Sequence, residues 1–458
     1  MKLIYQIGRY DKNYLLSLNF VINQKNYESP LSSICLKQIF SDAKLSLIYP
    51  VSIVYNNIAN ELKDKDNFSK IIVERINNYL DKPLEVIKEH PHNKYADDFF
   101  VIHSLGSYKF NDIEIEFKAS YDDIVLELLC DMLKKYLKFK DYENEVYVDI
   151  SSGHNIYVCA LIEALKHLFV FSCLLNWQNK NKRVKTYIVF SDPILGSLVN
   201  EFHIYIQQIE FKSFFSSPTK NEDININFGN RLSKKIYSEE NKEKRKKLDE
   251  LLENFGIVFS AIKNNTPLVL YHFGYDEYNN IIKDLTDLVC ELKNKLMSKS
   301  WQESPCISKN VYLKLILSLG LYAGIIEVLE KNNVRQYKLD EGIKLSEIKE
   351  KFASKDNSIY KIFNLGSLVH HLGQETYNLY EGKDENKKTL IEKLSDKWEK
   401  LNKYLSGKEQ NFVDRNFFAH TGFERNVTEV RKKDNEIYLR YAKEKENEIK
   451  NVMIKYIG

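Results

Sequence analysis

The sequence predicts an α/β half followed by an all-α half. Short β-rich runs alternate with amphipathic runs through the first two hundred residues, the pattern of βαβ units and a mostly parallel, doubly wound sheet. A charged tract, KKIYSEENKEKRKKLDE (234–250), interrupts it. After residue 250 nearly every run has helical spacing.

In order, KLIYQIG (2–8) is a strand ending at Gly8, and PLSSICLKQIF (30–40) spaces Leu31, Ile34, Cys35 and Ile39 as a helix. LSLIYPVSIVY (45–55) contains a second strand stopped by Pro50, followed by a helical run to about residue 80. DFFVIHSLG (98–106) is a third strand, and YDDIVLELLCDMLKKYLKF (121–139) is an amphipathic helix with Asp122 and Asp123 at its positive end. EVYVDI (145–150), the helix NIYVCALIEALKHLF (155–169) and the strand VKTYIVFSDP (184–193) complete the alternation. IEIEF (113–117) and FHIYIQQIEF (202–211) suit added antiparallel strands. The later helical runs are LLENFGIVFSAI, NNIIKDLTDLVCELKNKL, VYLKLILSLGLYAGIIEVLE, NLGSLVHHLGQETYNLYE and TLIEKLSDKWEKLNKYL. One exception, VTEVRKKDNEIYLRY (427–441), alternates about KKDN as a β-hairpin.

A chain of 458 residues implies two or three domains. Its 67 Lys and Arg nearly balance 64 Asp and Glu, so nucleic-acid binding must rest on a local basic patch. Within the charged tract, Lys244, Arg245, Lys246 and Lys247 form a positive run that suits either a solvated helix or a nucleic-acid contact. Six cysteines without a C-x-x-C pair argue against a zinc ribbon or a disulfide framework and fit a reducing interior. Arg9 and Asp11 break any signal-peptide core, and the longest uncharged run (315–326) is too short to span a bilayer. A cytoplasmic protein without a membrane partner is expected.

Ligands of open α/β sheets sit at the carboxyl ends of the strands, which directs attention to GRYD (8–11) and SSGHN (151–155). In the second, Asp149 precedes Ser151, Ser152 and Gly153, and a helix starts near Asn155. Small residues before a helix let backbone N–H groups approach a phosphate; an ordinary capped βα turn has the same composition. The chain contains no G-x-x-x-x-G-K-[ST] and no G-x-G-x-x-G, which leaves a P-loop ATPase or dinucleotide-binding dehydrogenase unsupported.

NFVDRNFFAHTGF (411–423) is the other candidate. A helix from Phe412 to a stop at Thr421-Gly422, with Gly422 as C′, puts Arg415, Ala419, Phe412, Asn416 and His420 on an arc of roughly 140°. Phe417 and Phe418 then point elsewhere as anchors, and Asn416 and His420 stack as i and i+4. Those groups suit RNA cleavage: histidine can move a proton near neutral pH, and arginine offers fixed donors to a phosphorane; a surface arginine and a histidine on the last carbonyls of its helix have the same composition. No metal is required. The chain has one R-x-x-x-x-H pair, and a single histidine does not readily serve as both base and acid, so a facing subunit is expected to supply a second copy.

RNFFAH (415–420) matches the R-x(4–6)-H signature of HEPN ribonucleases, and DISSGHN (149–155) looks like the D-x-[ST]-x-G-x-N motif of CARF domains, Rossmann-like sensors. In this order, with a charged insertion between them, they resemble the CARF–HEPN ribonucleases of type III CRISPR systems, the Csx-one family. The resemblance implies a CARF ligand-sensing domain over 1–212, a charged helical linker or helix-turn-helix-like insertion over 213–300, and a HEPN ribonuclease domain with a small β-hairpin over 301–458. It implies cyclic oligoadenylate, the tetramer, as allosteric activator, bound by Gly8, Arg9, Ser151, Ser152, Gly153, His154 and Asn155. Arg415, Asn416 and His420 are then the catalytic residues of a homodimer, able to assemble further. That enzyme cuts single-stranded RNA without metal or other cofactor, leaving a 2′,3′-cyclic phosphate or 3′-phosphate and a 5′-OH. Ser152 stands where many members carry Thr and keeps the hydroxyl. Two alternatives stay open: a ligand-gated nucleic-acid-binding regulator, and a CARF domain that cleaves its own activator through His154 or Ser152.

Overall fold

The runs rich in β-branched and aromatic side chains become strands, and the amphipathic runs become helices laid over them. The computed structural model describes residues 1–10, 16–62, 67–110, 113–193, 201–381, 389–405 and 412–458; Asp11 and Asn411, in the two candidate stretches, lie outside the described residues. Two compact units are present. The first holds Met1–Cys173, Asn179–Ser213 and Thr286–Tyr312; the second holds Leu174–Gln178, Phe214–Leu285 and Leu313–Gly458.

In the first unit the strands are β1 (Lys2–Ile7), β2 (Leu18–Ile22), β3 (Lys25–Ser29), β4 (Ala43–Pro50), β5 (Asp98–Ile102), β6 (Leu105–Phe110), β7 (Ile113–Lys118), β8 (Glu145–Asp149), β9 (Lys185–Ser191) and β10 (Phe202–Ile209). Eight of them form one sheet in the order β3-β2-β10-β9-β8-β1-β4-β5. β1 is central and parallel to both neighbours, Ile4 facing Leu45 of β4 and Tyr147 of β8. The chain builds outward from β1 through β4 and β5, then returns to β8 and β9 on the other side. That reversal is a topological switch point, where a crevice opens at the strand ends. β1 is buried along nearly its whole length, as a strand covered on both faces must be.

β10 pairs antiparallel with β9, and β6 with β7, as the alternation of 202–211 and 113–117 predicts. The β2–β3 hairpin was not predicted. Its two-residue turn puts Asn23 and Gln24 at φ 49° and 62°, a type I′ geometry favoured by Asn but usually advertised by glycine. The helix Tyr121–Lys138 starts with a capping box: Ser120 Oγ accepts from Asp123 N–H at 3.1 Å, and Asp123 accepts from Ser120 N–H at 2.9 Å.

The second unit is mainly helical, with Lys242–Lys263, Leu268–Phe273, Leu345–Phe352, Ser367–Glu381 and Glu446–Lys455 among its elements. Four short strands, β11 (Ile343–Lys344), β12 (Glu399–Lys400), β13 (Thr428–Lys433) and β14 (Glu436–Tyr441), form an antiparallel sheet in the order β11-β14-β13-β12. The hairpin at 427–441 is present, with Asp434 and Asn435 at φ 51° and 58°. The run 389–405, which reads as helix, is not one. Helix occupies Leu390–Lys393, and Glu399–Lys400 then joins the sheet opposite Val430 and Glu429. Ser395 C=O accepts from Lys432 N–H at 2.8 Å, and the Trp398 ring lies 4.5 Å from the Arg431 guanidinium and 4.4 Å from that of Arg440. Those contacts reach across the fold and override the local helical preference.

The positive run in the charged tract lies on the first turns of Lys242–Lys263. Arg245 pairs with Glu239, Lys246 with Glu250 at 3.6 Å and Lys247 with Asp284, which suits a solvated helix face. Among the described residues two helices, Asn155–Leu175 and Lys309–Lys331, are long and apolar enough to cross a membrane, but 56% and 72% of those windows are buried, as in core helices.

Candidate functional site

At the switch point the loops after β1 and β8 meet over Ile7. Ser152 donates its hydroxyl proton to Ile7 C=O at 3.0 Å. Gly153 passes directly over the same residue: at φ 108°, a Cβ there would lie 2.7 Å from Ile7 Cβ. Only glycine meets both demands without strain. Gly8, next in the chain, donates its N–H to Ile48 C=O at 2.7 Å, and a Cβ there would collide with the Tyr49 ring. Arg9 is half-buried beside it.

Asp149, fully buried at the end of β8, accepts Ser151 N–H at 2.9 Å. Burial pushes its carboxyl up to about 6, against the opposing effect of the serine hydrogen bonds. His154 C=O accepts the first helical N–H groups, from Tyr157 at 3.0 Å and Val158 at 3.2 Å. His154 is therefore the N-cap, and Asn155 the first helical residue. Ser151 and Ser152 are half-buried, whereas Gly153, His154 and Asn155 are exposed at the positive end of a helix of 21 residues. The seven residues predicted for ligand contact thus share one end of the sheet, with the last three forming its open rim.

In the second unit the helix at the R-x-x-x-x-H pair is Asp414–Ala419, shorter than the predicted Phe412–Thr421. Val413 is its N-cap and His420 its C-cap. Thr421 N–H bonds Phe418 C=O at 3.2 Å and Gly422 N–H bonds Phe417 C=O at 2.8 Å, a Schellman closure with Thr421, at φ 50°, as C′. Gly422 is C″, one place later than predicted. Phe412 leaves the predicted polar arc and packs its ring 5.6 Å from that of Phe417. Phe417 is fully buried, and Phe418 lies 5.1 Å from Tyr456, so both act as the expected anchors.

The polar arc survives the shortening, because His420 N–H still bonds Asn416 C=O at 3.1 Å and keeps the two residues in line. Arg415 is exposed, without a hydrogen-bond or ion-pair partner among the described residues. Asn416 is half-buried, and the His420 side chain is 50% exposed.

Two partners come from the helix Ser367–Glu381, some forty residues earlier. Glu375 Oε2 lies 3.2 Å from His420 Nδ1, and His371 Nε2 lies 3.2 Å from Ala419 C=O, one of the carbonyls left open at the helix end. A carboxylate on Nδ1 fixes the imidazole tautomer and leaves Nε2 as the working nitrogen. His371 and Glu375 are i and i+4, a spacing visible in HHLGQE that directs both to one face. The sequence reading did not include them. Among the described residues no group of three or more His, Cys, Asp or Glu is placed to hold a metal ion.

Comparison with known families agrees with this division. The model described as CRISPR system endoribonuclease Csx1, CARF domain, matches residues 2–193, and that described as CRISPR system endoribonuclease Csx1, HEPN domain, matches residues 365–445. The first span contains both loops over Ile7; the second contains His371, Glu375 and the helix of Arg415, Asn416 and His420. No curated protein matches the chain.

Proposed function

The chain belongs to the CARF–HEPN family of CRISPR system endoribonucleases, and on that premise we propose that a cyclic oligoadenylate switches on its cleavage of single-stranded RNA. It is a CRISPR-associated ribonuclease with a ligand-sensing domain; the identity of the activator, the chemistry of cleavage and its place in type III antiviral defence are our reading.

The observation that carries it is the open arc of Arg415, Asn416 and His420 braced by Glu375. With Nδ1 held by the carboxylate, His420 Nε2 can take the proton of a ribose 2′-OH or return one to the departing 5′-oxygen. The Arg415 guanidinium suits the doubly charged phosphorane, and Asn416 can orient a phosphate oxygen or the 2′-OH. The products are a 2′,3′-cyclic phosphate, or the 3′-phosphate from its hydrolysis, and a 5′-OH, with no metal step. One histidine per chain leaves either the base or the acid to a second copy, so the working enzyme is a homodimer, with further assembly open to it. In the first unit, the exposed residues Gly153, His154 and Asn155 at the positive end of their helix, with Gly8 and Arg9 beside them, suit the phosphates and sugar edges of cyclic tetraadenylate. The protein acts in the cytoplasm.

The test is cleavage of a fluorescent single-stranded RNA with cyclic tri-, tetra- or hexaadenylate, in EDTA and in magnesium. The expected result is tetramer-dependent cleavage, indifferent to EDTA, with cyclic-phosphate ends. Cleavage that needs no activator, or that EDTA abolishes, refutes the corresponding part of the proposal.

A further inference from the structure

Beneath the loop of Ser151–Asn155 lies a buried amide. Gln6, on β1 beside Asp149 of β8, is fully buried. Its Nε2 donates to Ser152 Oγ at 3.0 Å and to Ser32 Oγ at 3.1 Å. Its Oε1 accepts from Ser33 N–H at 3.3 Å and from the Ser33 hydroxyl. Both donors and both lone pairs are therefore engaged. Turning the amide over would set its NH2 against Ser33 N–H, donor facing donor, so the neighbours dictate its orientation.

The consequence falls on Ser152. A hydroxyl has one proton, and that proton goes to Ile7 C=O. Gln6 fills one of the two lone pairs from below. Ser152 is thus committed inward at both its donor and an acceptor site, and the loop's outward face falls to Gly153, His154 and Asn155, which are exposed. Gln6 also spans segments distant in sequence, reaching 26 residues along the chain to Ser32 and 146 to Ser152. The first turn of the helix Ser32–Ile39, the end of β1 and the loop after β8 are tied at one point.

We propose that Gln6 is a positioning residue of the activator site, holding Ser152 turned inward so that Gly153, His154 and Asn155 are presented to the ligand. This rests on the reading of that loop as the activator site. A buried amide without its partners is costly, so the bond to Ser152 is a shared constraint, and removing either end should release the same restraint.

That makes a double-mutant cycle decisive. The dissociation constant of cyclic tetraadenylate is measured on the full chain for wild type, Gln6→Met, Ser152→Ala and the double variant, with melting temperatures alongside. Each single variant is expected to weaken binding about tenfold, and the double variant to bind no worse than the weaker single. Wild-type affinity in both single variants, or a double variant whose loss is the product of the two, overturns the inference. If Gln6→Met fails to fold, Gln6→Asn takes its place in the cycle, since it keeps a buried amide but falls one methylene short of Ser152: a tenfold loss that is not multiplied by Ser152→Ala supports the brace, and unchanged affinity ends it. A wild-type chain that binds no cyclic oligoadenylate fails the activator reading itself and takes this inference with it; wild-type binding with indifferent variants fails the inference only.

Discussion

Ser151–Asn155 and Asp414–His420 both place polar side chains on a short stretch, but the two stretches are held down by opposite kinds of group. The loop is anchored through its polar groups: Ser151 N–H on Asp149, and Ser152 on Ile7 C=O and Gln6. The helix is anchored mainly through its apolar ones, Phe417 in the core and Phe412 and Phe418 against aromatic neighbours, with Asp414 paired to Lys455 at 2.8 Å in its first turn. On the proposed reading, folding and ligand presentation draw on the same hydrogen bonds in the loop. In the helix they are largely separate, since Arg415 is exposed and the His420 side chain is half-exposed beside Glu375. Polar substitutions should therefore disturb structure and binding together in the first region, and activity alone in the second.

The largest expected effect tests the second half of that contrast. His420→Ala should lower RNA cleavage by about 10²- to 10⁴-fold while activator binding and melting temperature stay at wild-type values. A cleaving His420→Ala enzyme would remove the site assignment.

Asp149→Asn comes next. The carboxyl ionises near 3.8 in the unfolded chain and near 6 in the folded one, so between those pH values the folded state holds the extra proton. Stability then falls as pH rises through that window, by about 3 kcal/mol in all. The variant should lack this loss, so that wild type melts progressively lower relative to it between pH 4 and 6. Parallel pH profiles would mean that the folded state does not hold the extra proton on Asp149.

Gly153→Ala should cost about 1–3 kcal/mol through its positive φ and the approach to Ile7, read as an activation midpoint shifted roughly ten- to a hundredfold. An unshifted midpoint would show that the loop is looser than its packing implies. The smallest effect is expected for Glu375→Gln, about tenfold in kcat with KM for RNA unchanged, because the amide can still meet Nδ1 but no longer stabilises an imidazolium. A change in KM instead would make Glu375 a substrate contact.

How much of this was legible differs from element to element for physical reasons. The hairpin at 427–441 announced itself because KKDN supplies Asp and Asn where φ must be positive. The β2–β3 hairpin has the same turn geometry, but NQ carries a weaker signal and the flanking strands are only partly buried. The segment 389–405 has helical spacing, yet Trp398 between two arginines and the pairing to β13 outweigh it. At the helix Asp414–Ala419 the identities of Arg415, Asn416 and His420 were readable, and so was their common face. The helix ends were not, because a Schellman closure can place Thr421 in the left-handed region when buried packing holds it there.

What the sequence by itself determined was local and periodic: the alternation that makes a parallel sheet, the two loops at strand ends and the stacking of Asn416 on His420. These follow from repeats of 2 and 3.6 residues and from where glycine is tolerated. Tertiary structure alone decided which groups stand behind them. Glu375 reaches His420 across 45 residues and Gln6 reaches Ser152 across 146. A hydrogen bond is set by the positions of two atoms in space, and no periodicity along the chain encodes a partner that far away.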